Sequence, residues 1–205
     1  MWTPMGARTQ EERKADTRAR LIAAAADLFA RKGFHAVSAE AVADAADRTT
    51  GALYNHFGGK DGLLLALVEQ WLNESAVRIL AGVEEAPDLD GRLRSLWSDS
   101  MVSGAPDAEL WLLLEFELWL HGARDPEFGG RLAARYDERR RNLAVPLEAW
   151  AQDEGIGKLR HPERCAGLVI ALLLGAAMQQ RLDPHAFKPA DVVAGLRSIL
   201  EGDAA

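Results

Sequence analysis

Residues near the N-terminus have the side-chain chemistry to read a nucleic acid without a metal or cofactor. Tyr54 and His56 can donate to phosphate oxygens, and Asn55 can offer its amide and carbonyl together to an adenine edge. Thr50 supplies a methyl group for a thymine, and Gly51 removes a side chain where backbone could approach DNA closely. Lys60 and the amides around it, at the start of a helix, could hold a phosphate by charge and helix dipole together. A second constellation lies in "ELWLLLEFELWLHG", where Trp111, Glu115 and Trp119 follow at i, i+4 and i+8 on one helical face. One acid between two indoles fits a cavity for a cationic or hydrogen-bonding apolar ligand, with Trp97, Met101 and Leu118 as further lining. The alternative is an internal ion pair between Glu115 or Glu117 and an arginine of "RYDERRR", Arg135 to Arg141. Catalytic spacing is missing: there is no HExxH, di-iron ExxH, GxSxG or glycine-rich phosphate loop. His121 and Asp125 at i+4 are a weak metal pair or a solvated helix end, and the lone Cys165 builds no thiolate cluster. Neither enzymatic activity nor a metal or cofactor is expected.

Short helices must position the first set of residues. From Arg13, "RKADTRARLIAAAADLFARKGF" places Leu21, Ala25, Leu28 and Phe29 on one stripe, and Gly33 stops the helix after Arg31 and Lys32. Ser38 caps a second helix, to about Ala46, with Val42 and Ala45 inward. Asp47 and Arg48 make the break, and Thr49 caps a third helix that turns Leu53 and Phe57 into the core. Thr50, Gly51, Tyr54 and Asn55 are then left on the outer face. The pattern is a helix-turn-helix whose outer face enters a major groove, and that use would offset a glycine cost of roughly 1 kcal/mol.

The run from Arg18 through "LIAAAADLFARKGF", then "VSAEAVADAAD" and "TTGALYNHFGGKDGLL", resembles the DNA-binding module of TetR-family transcriptional regulators. The resemblance covers about the first 65 residues, in order and with few gaps. It implies that Ser38, Thr49, Thr50, Tyr54, His56 and Lys60 contact double-stranded operator DNA. Asp47 departs from the family's usual glycine but tolerates a left-handed conformation, and Arg48 departs from a small apolar residue. Arg48 either reaches a phosphate or lies out in solvent. The resemblance further implies an all-helical C-terminal domain that binds a small-molecule effector and forms a homodimer.

Composition agrees with two modules. The chain of 205 residues carries a net charge of -7, yet residues 1 to 60 hold 9 basic against 7 acidic residues and the remainder 15 against 24. A weakly basic module on an acidic body follows. The expected division is a flexible arm over 1–12, a helix-turn-helix domain over 13–60, and a helical bundle for ligand binding and dimerisation over 61–205. Patterning predicts helices from Lys60 to Val83, Leu89 to Ser103, Asp107 to Ala123, Pro126 to Gly155, Pro162 to Leu182 and Pro189 to Glu201. Gly167, Ala171 and Gly175 recur every four residues, flanked by Leu168 and Leu172. This small-residue face lets another helix approach closely, either within the chain or, as the resemblance implies, in a four-helix dimer interface. The longest uncharged apolar run, Cys165 to Met178, is 14 residues, short of a bilayer span. With no secretory signal and no possible internal disulfide, a cytoplasmic protein is expected. The alternative function is a helical interaction module that no longer binds a specific operator, for which the altered turn at Asp47 and Arg48 is the support.

Overall fold

A computed structural model of the chain describes residues 9–101 and 108–204. Nine helices run through the described residues: α1 (Gln10–Lys32), α2 (Ala39–Ala45), α3 (Thr50–Phe57), α4 (Lys60–Glu84), α5 (Leu89–Met101), α6 (Ala108–Arg124), α7 (Pro126–Asp153), α8 (Pro162–Leu182) and α9 (Pro189–Ala204). The fold is all-α, and the chain divides into two compact units between Trp71 and Leu72, within α4.

In the first unit, α1 begins at Gln10, so residues expected in a flexible arm are helical. Thr9 and Glu12 form a capping box: Glu12 N–H donates to Thr9 Oγ1 at 3.2 Å, and Thr9 N–H to Glu12 Oε2 at 2.7 Å. Residues 1–8 of that arm lie outside the described residues. The core gathers Leu21, Ile22, Ala25 and Phe29 of α1, Phe34 and Val37 of the following loop, and Val42, Ala43 and Ala46. Leu28 is only half-buried and Ala45 is exposed, against expectation. The interior face of α2 is set by Val42, Ala43 and Ala46, because so short a helix meets both α1 and α3. Leu53 is the buried residue of α3, and Phe57 is half-buried. Gly58 ends α3 in the left-handed region at φ 74°. Gly62, in the first turn of α4, is sterically fixed: a Cβ there would lie 1.8 Å from the Phe57 carbonyl oxygen.

The second unit has its own core. Leu93, Leu96 and Trp97 of α5 and Leu147 and Trp150 of α7 belong to one buried cluster with residues of α8 and α9. By length and composition α8 is apolar enough to cross a bilayer, although its uncharged run is short. Its residues Cys165, Ala166, Val169, Ile170, Leu173, Leu174, Ala176 and Ala177 are instead buried among the other helices of the second core. Asp125 caps α7 with Pro126 in the first turn, and Pro146 lies inside that helix without ending it. Buried Asp203 near the end of α9 accepts from His161 N–H at 2.7 Å and Arg164 Nη2 at 2.8 Å. Burial alone would raise its carboxyl, but those two donors hold it below the ordinary carboxylate range.

Candidate nucleic-acid interface and effector region

The turn between α2 and α3 positions everything outward of it. Asp47 N–H donates to the Asp44 carbonyl at 3.1 Å and Arg48 N–H to the Ala43 carbonyl at 2.9 Å. These paired bonds form a Schellman motif, with Asp47 as its left-handed residue at φ 54°. Aspartate therefore does the work expected of glycine at this position. Arg48 turns back onto α1. Its Nη2 lies 2.7 Å from Asp16 Oδ2 on α1, and its Nε donates to Thr17 Oγ1 at 3.2 Å. A third bond runs from Nη1 to the Asp47 carbonyl at 2.6 Å. These bonds engage three of the five N–H donors of the guanidinium inside the protein.

Thr49 caps α3 by accepting from Ala52 N–H at 3.1 Å, a use of the oxygen that leaves the hydroxyl proton to donate. Along α3, Tyr54 is 53% exposed, large for an aromatic side chain, and Gly51 and Asn55 are exposed beside it. Thr50 and His56 are half-buried. A Cβ on Gly51 would find its nearest neighbour at 3.9 Å, so nothing within the protein excludes a side chain there. The protein's own packing therefore gives no reason for glycine at residue 51.

Two expected contacts are occupied otherwise. Ser38 caps α2 by accepting from Ala41 N–H at 3.1 Å. Its hydroxyl also bonds Glu40, whose carboxyl is held below its ordinary range by its own backbone N–H and then by Ser38. A carboxylate beside Ser38 disfavours a phosphate. Lys60 turns inward: its Nζ donates to the carbonyls of Phe34 and Val37, both at 2.9 Å, and lies 4.2 Å from the centre of the Phe34 ring. The ammonium ties the loop after α1 to the start of α4, with one of its three protons left over.

In the second unit, the expected internal pair is present at Glu115. This carboxyl is buried, and its Oε1 accepts from Arg139 Nη1 at 2.9 Å and from the Tyr136 hydroxyl. Trp119 Nε1 donates in turn to the Tyr136 oxygen. Burial, then the Glu115 charge, push the Tyr136 hydroxyl far above its ordinary value. Glu115 Oε2 is buried and has no hydrogen-bond partner among the described residues. Tyr136 was not expected here; with Arg139 at i+3 it shares a face of α7, a spacing visible in the sequence. Trp97 and Leu118 are buried, at 3% and 0% exposure. The side chains of Met101 and Trp111 lie outside the described residues. Cys165 is buried, and burial followed by the Asp203 charge pushes its thiol up to about 11, so it is no thiolate at neutral pH.

The small-residue face of α8 is divided. A Cβ on Gly167 would meet Arg140 Cδ of α7 at 3.2 Å, so this position packs within the chain. Gly175 faces open space, and Ala171 and Leu168 are exposed, Leu168 by 52%. Leu172 leans on α9, where a Cβ on Gly195 would come within 3.1 Å of it.

Two family models match the chain. The bacterial regulatory proteins of the tetR family match residues 21–67, and the C-terminal domain of BetI-type transcriptional repressors matches residues 90–203. The HTH-type transcriptional regulator UidR of Escherichia coli K12 is 28% identical over 120 residues, 58% of this chain and 59% of UidR. The chain thus spans under two thirds of that relative's length. The HTH-type transcriptional repressor AcnR of Corynebacterium efficiens is 26% identical over 152 residues, 67% of this chain and 75% of AcnR. Among solved structures, Salmonella enterica GusR superposes with a TM-score of 0.69 at 26% identity, covering 95% of this chain and 96% of GusR.

Proposed function

The chain belongs to the TetR family of DNA-binding transcriptional regulators, and from this premise we propose that it is a homodimeric repressor released from its operator by a small-molecule effector. The observation that carries the DNA-binding part is the outer face of α3, where Tyr54, Asn55 and the hydroxyl of Thr49 surround a glycine that internal packing does not require. In this reading Tyr54 and Thr49 hold phosphates, Asn55 reads a base edge, and Gly51 admits the DNA backbone. A two-fold dimer would set two α3 helices into successive major grooves. Leu168, Ala171 and Gly175 of α8 are the surface proposed for that dimer, because they are apolar or small and face outward. The closed turn at Asp47 and Arg48, with both of its hydrogen bonds, supports the DNA-binding reading over the interaction-module alternative.

Effector response is assigned to the region of Glu115. Its charge is already matched by Arg139, while Oε2 remains an acceptor. Of the two ligand types read from the sequence, the hydrogen-bonding apolar one therefore fits better than the cationic one. An effector must bind the two operator-affinity states unequally to act at all. The deciding experiment titrates the purified chain against DNA from its own upstream region at two salt concentrations. Saturable, salt-sensitive binding that survives competitor DNA is expected. Affinity equal to that for random DNA, there and across wider genomic fragments, would overturn the reading.

A further inference from the structure

We propose that Arg48 is a positioning residue for DNA recognition: by clamping the turn before α3 onto α1, it sets the angle at which Tyr54 and Asn55 are presented, without itself touching DNA. This rests on the DNA-binding role assigned to α3. In a Schellman motif the residue after the left-handed position commonly makes an apolar contact back to the helix it leaves. Arg48 occupies that place and reaches Asp16 and Thr17 on α1 instead. The same residue directly precedes Thr49, the cap of α3. Fixing Arg48 therefore fixes the backbone from which the recognition helix starts.

The clamp has leverage because α3 has little else to hold it. The helix is eight residues long and buries only Leu53 fully. Arg48 is 22% exposed at its side chain and Asp16 31%, and Arg20 grips the same carboxylate from one turn away at 3.2 Å. Burial alone would raise the Asp16 carboxyl, but the Arg20 charge and hydrogen bonds from Arg20 and Arg48 bring it below the ordinary range. The pair joins two elements far apart in sequence, unlike the i, i+4 pairs on solvated helix faces.

A clamp and a phosphate contact predict opposite signs at Asp16. The test compares Arg48→Ala, Asp16→Ala and the double variant of the full chain, titrated against operator over a range of salt, with melting followed in parallel. Each single variant should weaken binding about tenfold, and the double no more than either single, since the two residues act as one unit. The slope of log affinity against log salt should not change. Tighter or unaltered binding by Asp16→Ala, with Arg48→Ala weakened and its salt slope shallower by about 0.9, would make Arg48 a phosphate contact and overturn the clamp. Unaltered binding by both variants would overturn it too. Should Arg48→Ala fail to fold, Thr17→Val removes one bond of the clamp without touching charge, and no loss of affinity there counts against it. If the unaltered chain binds no operator, the functional reading falls separately, and the clamp is read from hydrogen exchange. Arg48→Ala should then speed exchange at the α3 amides about tenfold, and unchanged exchange overturns it.

Discussion

Each unit of the molecule has an arginine–carboxylate pair that ties elements together, Arg48–Asp16 in the first and Arg139–Glu115, one of several, in the second, and these two are built differently. In the first unit, Asp16 is 31% exposed and both of its oxygens receive hydrogen bonds, from Arg20 and Arg48. In the second unit, Glu115 is 2% exposed, yet Arg139 and Tyr136 share one oxygen and the other has no partner among the described residues. A pair near the surface in which each carboxylate oxygen already has a donor is a brace, because neither oxygen gains a first partner from a new arrangement. A buried acid with a spare acceptor favours any rearrangement or ligand that supplies a donor. The unit that presents a fixed face carries the first kind, and the unit assigned to sensing carries the second.

The largest test of this contrast is Arg139→Ala. It should cost about 3 kcal/mol of stability, since it strands a buried carboxylate, and adding Glu115→Gln should recover most of that loss in thermal unfolding. A loss under about 0.5 kcal/mol would place Glu115 in the same solvated class as the surface pairs and erase the contrast. Next comes Asp203→Asn, expected to cost about 1.5 kcal/mol near neutral pH because it weakens two bonds to a charged acceptor. The native carboxyl titrates below its ordinary value, so its contribution is complete above that value and is lost as pH falls through the lowered one. Unfolding followed down a pH series should therefore be less steep in the variant than in the parent. Gly51→Ala should weaken operator binding roughly tenfold while raising stability by up to about 1 kcal/mol. Equal affinity would mean that the groove does not approach the backbone there. The smallest effect is expected from Arg31→Ala, which breaks an exposed i, i+4 pair with Asp27 and should change stability by about 0.5 kcal/mol or less.

Much of the fold was legible because its signals are local. The limits of α8 follow from Pro162 and the break after Leu182, and the caps at Ser38 and Thr49 were readable from residue type alone. The missed start of α1 was legible too, in the Thr9 to Glu12 capping box. The site was read less completely. Nothing near Arg48 in sequence announces Asp16 and Thr17, because that contact closes only once α1 and the turn have packed together. The internal partners of Lys60 are hidden for the same reason, because the Phe34 and Val37 carbonyls come beneath it only in the folded chain. Gly167 and Gly175 look equivalent at helical spacing, and only the position of Arg140 distinguishes them. The pairing of Glu115 with an arginine of α7 was one of two open readings, and its partner Arg139 is identified only once α6 and α7 have packed together.

The Phe57 carbonyl oxygen lying where a Cβ of Gly62 would fall has a consequence for selection. In a library of single substitutions, Gly51 and Gly62 should part company according to the screen applied. A screen for folded protein should keep small residues at 51 and reject all of them at 62, whereas a screen for repression should reject changes at both. On the proposed reading, two glycines within a dozen residues would be required for different reasons, one by the DNA outside and one by the chain's own backbone.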